Sequence, residues 1–167
     1  MNLPNRPVPL LDRLTDKQPK RTEEVFALTL SESEYRAKVL EHLQQLFNSV
    51  VYEQGSHPLL AASVQRYGLP ALSGQTLNDL DLSRVQQQLA DAVRHFEPRI
   101  DPQSLDIEPI LPRVDDKRPQ GSSSTDAPAP GHLQFRISAT LFNKPYPVEL
   151  FCHAVLNLDT GKFMVDH

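Results

Sequence analysis

The chain predicts an α+β fold, with N-terminal helices packed on a small, mostly antiparallel C-terminal sheet. Three observations predict it. Two stretches, near 31–48 and 82–96, carry apolar residues at helical spacing. After Ile100 the apolar period drops from about 3.6 to about 2. Near the C-terminus, Asp159-Thr160-Gly161-Lys162 reads as a hairpin loop between two apolar runs. Helices first and strands afterwards are unlike the alternation of a parallel βαβ sheet.

The first helix begins at Ser31. Ser31 and Glu34, three apart, make a capping box in which each side chain serves a free backbone N–H of the other. Tyr35, Val39, Leu43, Leu46 and Phe47 line one face, and Asn48 and Ser49 mark the end. His42 lies beside this stripe, as a solvated or partly buried residue rather than a ligand. Residues 57–80 are rich in turn signals. Leu59, Leu60, Ala61, Ala62 and Val64 predict a short helix reaching Arg66, which Tyr67-Gly68-Leu69-Pro70 breaks: Gly68 permits positive φ and Pro70 restrains Leu69. Asn78, Asp79 and Asp81 form an acidic lead-in to the next helix. They lack the calcium-loop order of oxygens and read as capping residues. The second helix spans 82–96, where Val85, Leu89, Ala92, Val93 and Phe96 fall at i, i+4, i+7, i+8 and i+11.

Beyond Ile100, Leu105 and Ile107 alternate with Asp106 and Glu108 in a run whose proline places it near a sheet edge. Residues 114–131, with Pro119, Pro128, Pro130, Gly121, Gly131 and Ser122-Ser123-Ser124, are a flexible loop by composition. Leu133, Phe135, Ile137, Ala139 and Leu141 then alternate with polar residues, as a strand with one buried face does. Val148, Leu150, Cys152, Ala154 and Leu156 form the next apolar row, which makes Cys152 a buried, inert thiol. Phe163-Met164-Val165 returns as a short last strand. Phe151 and Val155 fall on the opposite face of their strand, so the sheet calls for a second cover, and its short last strand leaves an edge.

The chain of 167 residues suffices for one domain, expected over 31–167, with residues 1–30 as an N-terminal arm. Leu10, Leu11 and Leu14 share a helical face in that arm, which either packs on the domain or docks on a partner. No apolar run approaches the ~20 residues of a membrane span, and the first residues lack the apolar core of a signal peptide. Cys152 is the single cysteine, so no internal disulfide forms. A net charge of −4 argues against a dedicated nucleic-acid binder. The expected location is cytoplasmic.

Phe96-Glu97-Pro98-Arg99-Ile100 carries the most information. Pro98 disfavours the α region for Glu97, so the helix ends there. In an extended continuation Glu97 and Arg99, two apart, point to the same side. Such a rigid charge pair either salt-bridges a partner or braces the helix against the sheet of its own fold. His95 next to Phe96 suggests a catalytic base, yet no nucleophile or second histidine shares its spacing. No Walker-type phosphate loop and no Cys/His zinc cluster appears, and no cofactor or metal is expected.

Ser63-Val64-Gln65-Arg66-Tyr67-Gly68-Leu69-Pro70, then Leu72-Ser73-Gly74, then Phe96-Glu97-Pro98-Arg99-Ile100 together resemble TssE, the type VI secretion baseplate subunit family, within the broader contractile-phage baseplate wedge family often labelled lysozyme-like. Leu11-Asp12-Arg13-Leu14 and Leu158-Asp159-Thr160-Gly161-Lys162-Phe163 are similar to it as well. The resemblance covers nearly the whole chain, except the loop at 114–131. Glu97, Pro98 and Arg99 fall on the family's Glu-Pro-Arg motif without substitution.

The resemblance implies a structural role, not an enzymatic one. It implies a baseplate docked at the inner-membrane complex, with wedge partners TssF, TssG and TssK and sheath partners TssB and TssC, and no nucleic acid or direct membrane insertion. Glu97, Pro98 and Arg99 are then the expected protein-binding residues, and residues about 147–166 the expected acceptor of a sheath strand by β-addition. Two alternatives remain: a cytosolic adaptor of the same fold that regulates proteolysis, and a peptidoglycan glycosidase. A glycosidase needs two carboxylates across a sugar cleft, one with a raised pKa. Glu97 and Asp101 are the nearest candidates, and Arg99 beside Glu97 pushes its pKa the wrong way.

Overall fold

Among the described residues, two amphipathic helices cover one face of a four-stranded antiparallel meander. The computed structural model describes residues 30–51, 66–72, 81–110, 131–143 and 146–166. The arm at 1–29, residues 59–65 of the expected short helix, Asn78, Asp79 and the loop up to residue 130 lie outside the described residues.

Helix α1, Glu32–Asn48, starts at the expected capping box: Ser31 Oγ accepts from Glu34 N–H, and Glu34 Oε2 accepts from Ser31 N–H at 2.8 Å. Its buried face is Tyr35, Val39, Leu43, Leu46 and Phe47. Helix α2, Leu82–Phe96, is capped by Asp81, whose carboxylate accepts from the backbone of Ser83 and Arg84. Its buried residues are Val85, Leu89, Ala92 and Val93, the stripe read from spacing, with Phe96 half-buried at the end.

Strands β1, Asp106–Ile110, β2, His132–Leu141, β3, Val148–Asn157, and β4, Lys162–Asp166, lie in the order β1-β2-β3-β4, each antiparallel to its neighbour. The register lines the inner face with cross-strand apolar rows: Ile107, Ile137 and Cys152 in one, Leu133, Leu156 and Phe163 in another. Where Phe135 crosses the sheet its neighbour on β3 is the small Ala154, so large and small side chains interdigitate. α1 lies on β3 and β4, α2 on β1, and the helices touch each other. Phe47 meets Phe163 with ring centroids 5.5 Å apart.

The link after α1 passes close to the helix end. Leu69 N–H donates to Ser49 O, and Val51 N–H to Leu69 O, as a parallel bridge between Val50 and Leu69. Gly68 makes the approach possible. Its φ is +121°, and a Cβ built there would stand 2.2 Å from the Ser49 carbonyl oxygen.

Gly68→Ala therefore loses about 1–3 kcal/mol to backbone strain alone, more with the collision, and lowers the melting temperature by at least roughly 3 °C in a calorimetric scan. Burial pushes the Cys152 thiol up to about 12. A disulfide reagent at pH 8 leaves it unmodified in the native protein and labels it once urea unfolds the chain.

Candidate functional site

Glu97 is the one charged residue buried in the described core, at 1 % exposure. It is the C-cap of α2, with φ −117° and ψ 80°, outside the helical region as the following proline requires. The chain does not run on extended. Ile100 N–H donates back to Glu97 O at 3.1 Å, closing a tight turn with Pro98 at its second position, a favoured place for proline.

The turn folds Arg99 back onto Glu97. Arg99 Nε donates to Glu97 Oε1 at 2.6 Å, Nη2 to Oε2 at 2.7 Å, and the Arg99 backbone N–H to Oε1 at 3.2 Å. His42 of α1 supplies the fourth contact, Nδ1 to Oε2 at 2.5 Å. A carboxylate accepts and does not donate, so Nδ1 carries the hydrogen. Two bonds to each oxygen use the carboxylate's ordinary capacity of about four. Burial pushes the Glu97 pKa up, but the hydrogen bonds and charges of Arg99 and His42 outweigh it and hold the carboxyl below its usual range.

The signature before α2 converges on the same point. Gly68 sets Tyr67 beside His42, ring centroids 6.1 Å apart, and edge-on to Phe96 at 5.3 Å. Burial and then the Glu97 charge raise the Tyr67 pKa. Tyr67-Gly68-Leu69-Pro70 and Glu97-Pro98-Arg99, thirty residues apart, are thus parts of one cluster.

The turn is stitched to the sheet as well. Phe142 N–H donates to Arg99 O at 2.7 Å and Asp101 N–H to Thr140 O at 2.8 Å, with Ile100 bridged to Leu141. Ser104 Oγ takes the Thr140 N–H, and the chain then enters β1. Tyr35 of α1 donates its hydroxyl to Phe142 O. Both helices and the end of β2 therefore meet at this turn. Pro98 is exposed and Arg99 half-buried, while the Glu97 carboxylate reaches the surface only through its partners.

Sequence reasoning found Glu97 and Arg99 but not His42, 55 residues away. The expectation that the two charges sit side by side on an extended segment is corrected: the tight turn brings them onto each other. His95 bonds the Asp91 carbonyl of its own helix rather than Glu97. A carboxylate with depressed pKa and no spare acceptor position is the opposite of the protonated acid a glycosidase requires. Among the described residues, no group of three or more His, Cys, Asp or Glu is placed to hold a metal ion, and no helix is long and apolar enough to cross a membrane.

The outer sheet face carries a cross-strand row of Glu108, Arg136, His153 and Asp166. Phe151 and Met164 on that face are 56 % and 66 % exposed, and Val155 is half-buried.

A family model described as Baseplate wedge protein gp25 matches residues 33–146, more than half of the chain. No curated protein and no solved structure matches.

Replacing Glu97 by Gln costs about 3 kcal/mol at pH 7, the low end for breaking a buried pair because Arg99 and His42 both reach water. The depressed carboxyl stabilises the fold fully above its unfolded value of about 4.3, and that contribution fades as pH falls through the lower folded value. In urea unfolding the gap between wild type and Glu97→Gln is therefore widest at neutral pH and narrows below about pH 4.

Proposed function

The chain belongs to the baseplate wedge protein gp25 family, and from that premise we propose that it is the TssE-type subunit of a type VI secretion baseplate. Membership makes it a component of a contractile injection baseplate. The finer reading is that it joins the wedge proteins TssF, TssG and TssK in the cytoplasm, at the inner-membrane complex, and that its sheet starts the sheath of TssB and TssC. The observation that carries this reading is the braced Glu-Pro-Arg turn. A carboxylate bonded four times holds the turn rigid, with Pro98 and the outer side of Arg99 facing outward. Rigid presentation lowers the ordering cost of binding. In this proposal Pro98 and Arg99 touch the wedge partner, and Glu97 acts by setting the Arg99 geometry.

The sheath role rests on the four-stranded sheet. Its β3–β4 hairpin, within the 147–166 segment, is the proposed acceptor of a sheath strand.

A tagged chain expressed in a cell that carries such a machine is expected to bring down TssF, TssG and TssK. Arg99→Lys keeps the charge but loses the two-pronged grip on Glu97. It lowers wedge recovery about tenfold or more, equivalent to about 1.4 kcal/mol, while the purified variant keeps its circular-dichroism spectrum. Undiminished recovery by a folded Arg99→Lys variant removes position 99 from the interface. Absence of every baseplate protein from the wild-type eluate overturns the reading as a whole.

A further inference from the structure

The exposed edge of β4 is not open. Residues of an antiparallel strand alternate between pointing their backbone groups at one neighbour and at the other. Phe163 and Val165 point theirs away from β3, where a fifth strand would lie, and α1 already occupies the N–H and carbonyl of Phe163 and the N–H of Val165. Asn48 Oδ1 accepts from Phe163 N–H at 3.0 Å, and Asn48 Nδ2 donates to Phe163 O at 2.9 Å. Gln44 Nε2 donates to the same carbonyl at 2.9 Å, and Gln44 Oε1 accepts from Val165 N–H at 2.7 Å.

The match is geometric. Gln44 and Asn48 are four apart on the helix, a rise of about 6 Å. Phe163 and Val165 are two apart on the strand, about 6.7 Å. A primary amide offers an acceptor oxygen and an NH2 donor side by side, as the C=O and N–H of a single strand residue do toward one neighbour. Two amides one helical turn apart thus imitate two residues of an added strand. Their orientation is fixed: the Phe163 and Val165 N–H groups must face the amide oxygens, and Asn48 Nδ2 also donates to Gln44 O at 2.8 Å. At the opposite edge Gln86 of α2 donates to Ile107 O at 2.5 Å, and Pro109 has no N–H to offer.

We propose that Gln44 and Asn48 are a displaceable guard on β4, which withholds this edge from extended segments of other chains until their two amides swing away. The guard stands on the free subunit's own hydrogen bonds; its use in sheath initiation rests on the strand-addition reading above. It lets one strand serve as a docking edge without self-association before assembly, the hazard of any bare edge.

The test uses the full-length chain. In amide hydrogen exchange by NMR, Phe163 and Val165 are protected in the wild type. Asn48→Ala speeds exchange at Phe163, and Gln44→Ala at Val165, each about tenfold or more, while Met164, which faces β3, is unaffected. The double variant Gln44→Ala/Asn48→Ala also associates with rising concentration in light scattering, because the bare edge pairs with that of a second copy. Adding Val165→Pro, which deletes an outward N–H and no ladder bond, returns it to monomer. Phe163 and Val165 amides that exchange in the wild type as fast as loop amides overturn the proposal. So does a folded double variant that stays monomeric up to millimolar concentration. If the double variant opens its edge by both measures yet TssB and TssC fail to assemble on baseplates containing it or the wild type, the guard stands and the sheath reading falls.

Discussion

The fold hangs on one buried carboxylate. A lone ionised carboxyl in a protein interior costs several kcal/mol, and Glu97 stays charged there because four donors converge on it from two directions. Three come from Arg99, made local by the Pro98 turn, and one from His42 on a different helix. The carboxylate thereby ties the end of α2 to α1 at the point where the chain crosses into the sheet. Phe142, Asp101 and Ile100 then bond the same turn to the end of β2. Loss of any one donor leaves a buried charge short of a partner, so the junction is a single unit and not a sum of contacts.

The same economy governs the sheet edges. Polar side chains on both helices reach past the apolar core to the outermost backbone groups, Gln44 and Asn48 on β4 and Gln86 on β1. These residues flank the stripes that bury each helix, so the packing that forms the core also delivers the amides to the edges. The outer face differs: it carries the charged row together with Phe151 and Met164, both largely exposed.

Periodicity made most of the architecture legible. The stripes of α1 and α2 and the alternation in β2 and β3 each reflect one buried face, and burial leaves a regular trace in sequence. Asp81, Ser31 and Gly68 were readable because capping and positive φ are local demands that few residues satisfy. The Pro98 turn was half legible. Proline announces where a helix stops but not where the chain goes next, so the sequence left open whether Glu97 and Arg99 pair within the fold. His42 was read as solvated or partly buried because a histidine beside an apolar stripe looks alike whether or not a carboxylate arrives from 55 residues away. Gln44 went unnoticed for a related reason: a polar residue on a helix flank carries no mark of the strand it will touch.

Family membership and geometry point the same way. The residues that carry the family resemblance, Tyr67 through Pro70 and Glu97 through Arg99, are the ones that gather around the buried carboxylate and build the braced turn. The central claim is that His42 and Glu97 act as one unit across the two helices. A double-mutant cycle of His42→Leu and Glu97→Gln, read by urea unfolding at pH 7, tests it most directly. A coupling energy of about 1–3 kcal/mol is expected, and additivity of the two single effects to within about 0.3 kcal/mol contradicts it.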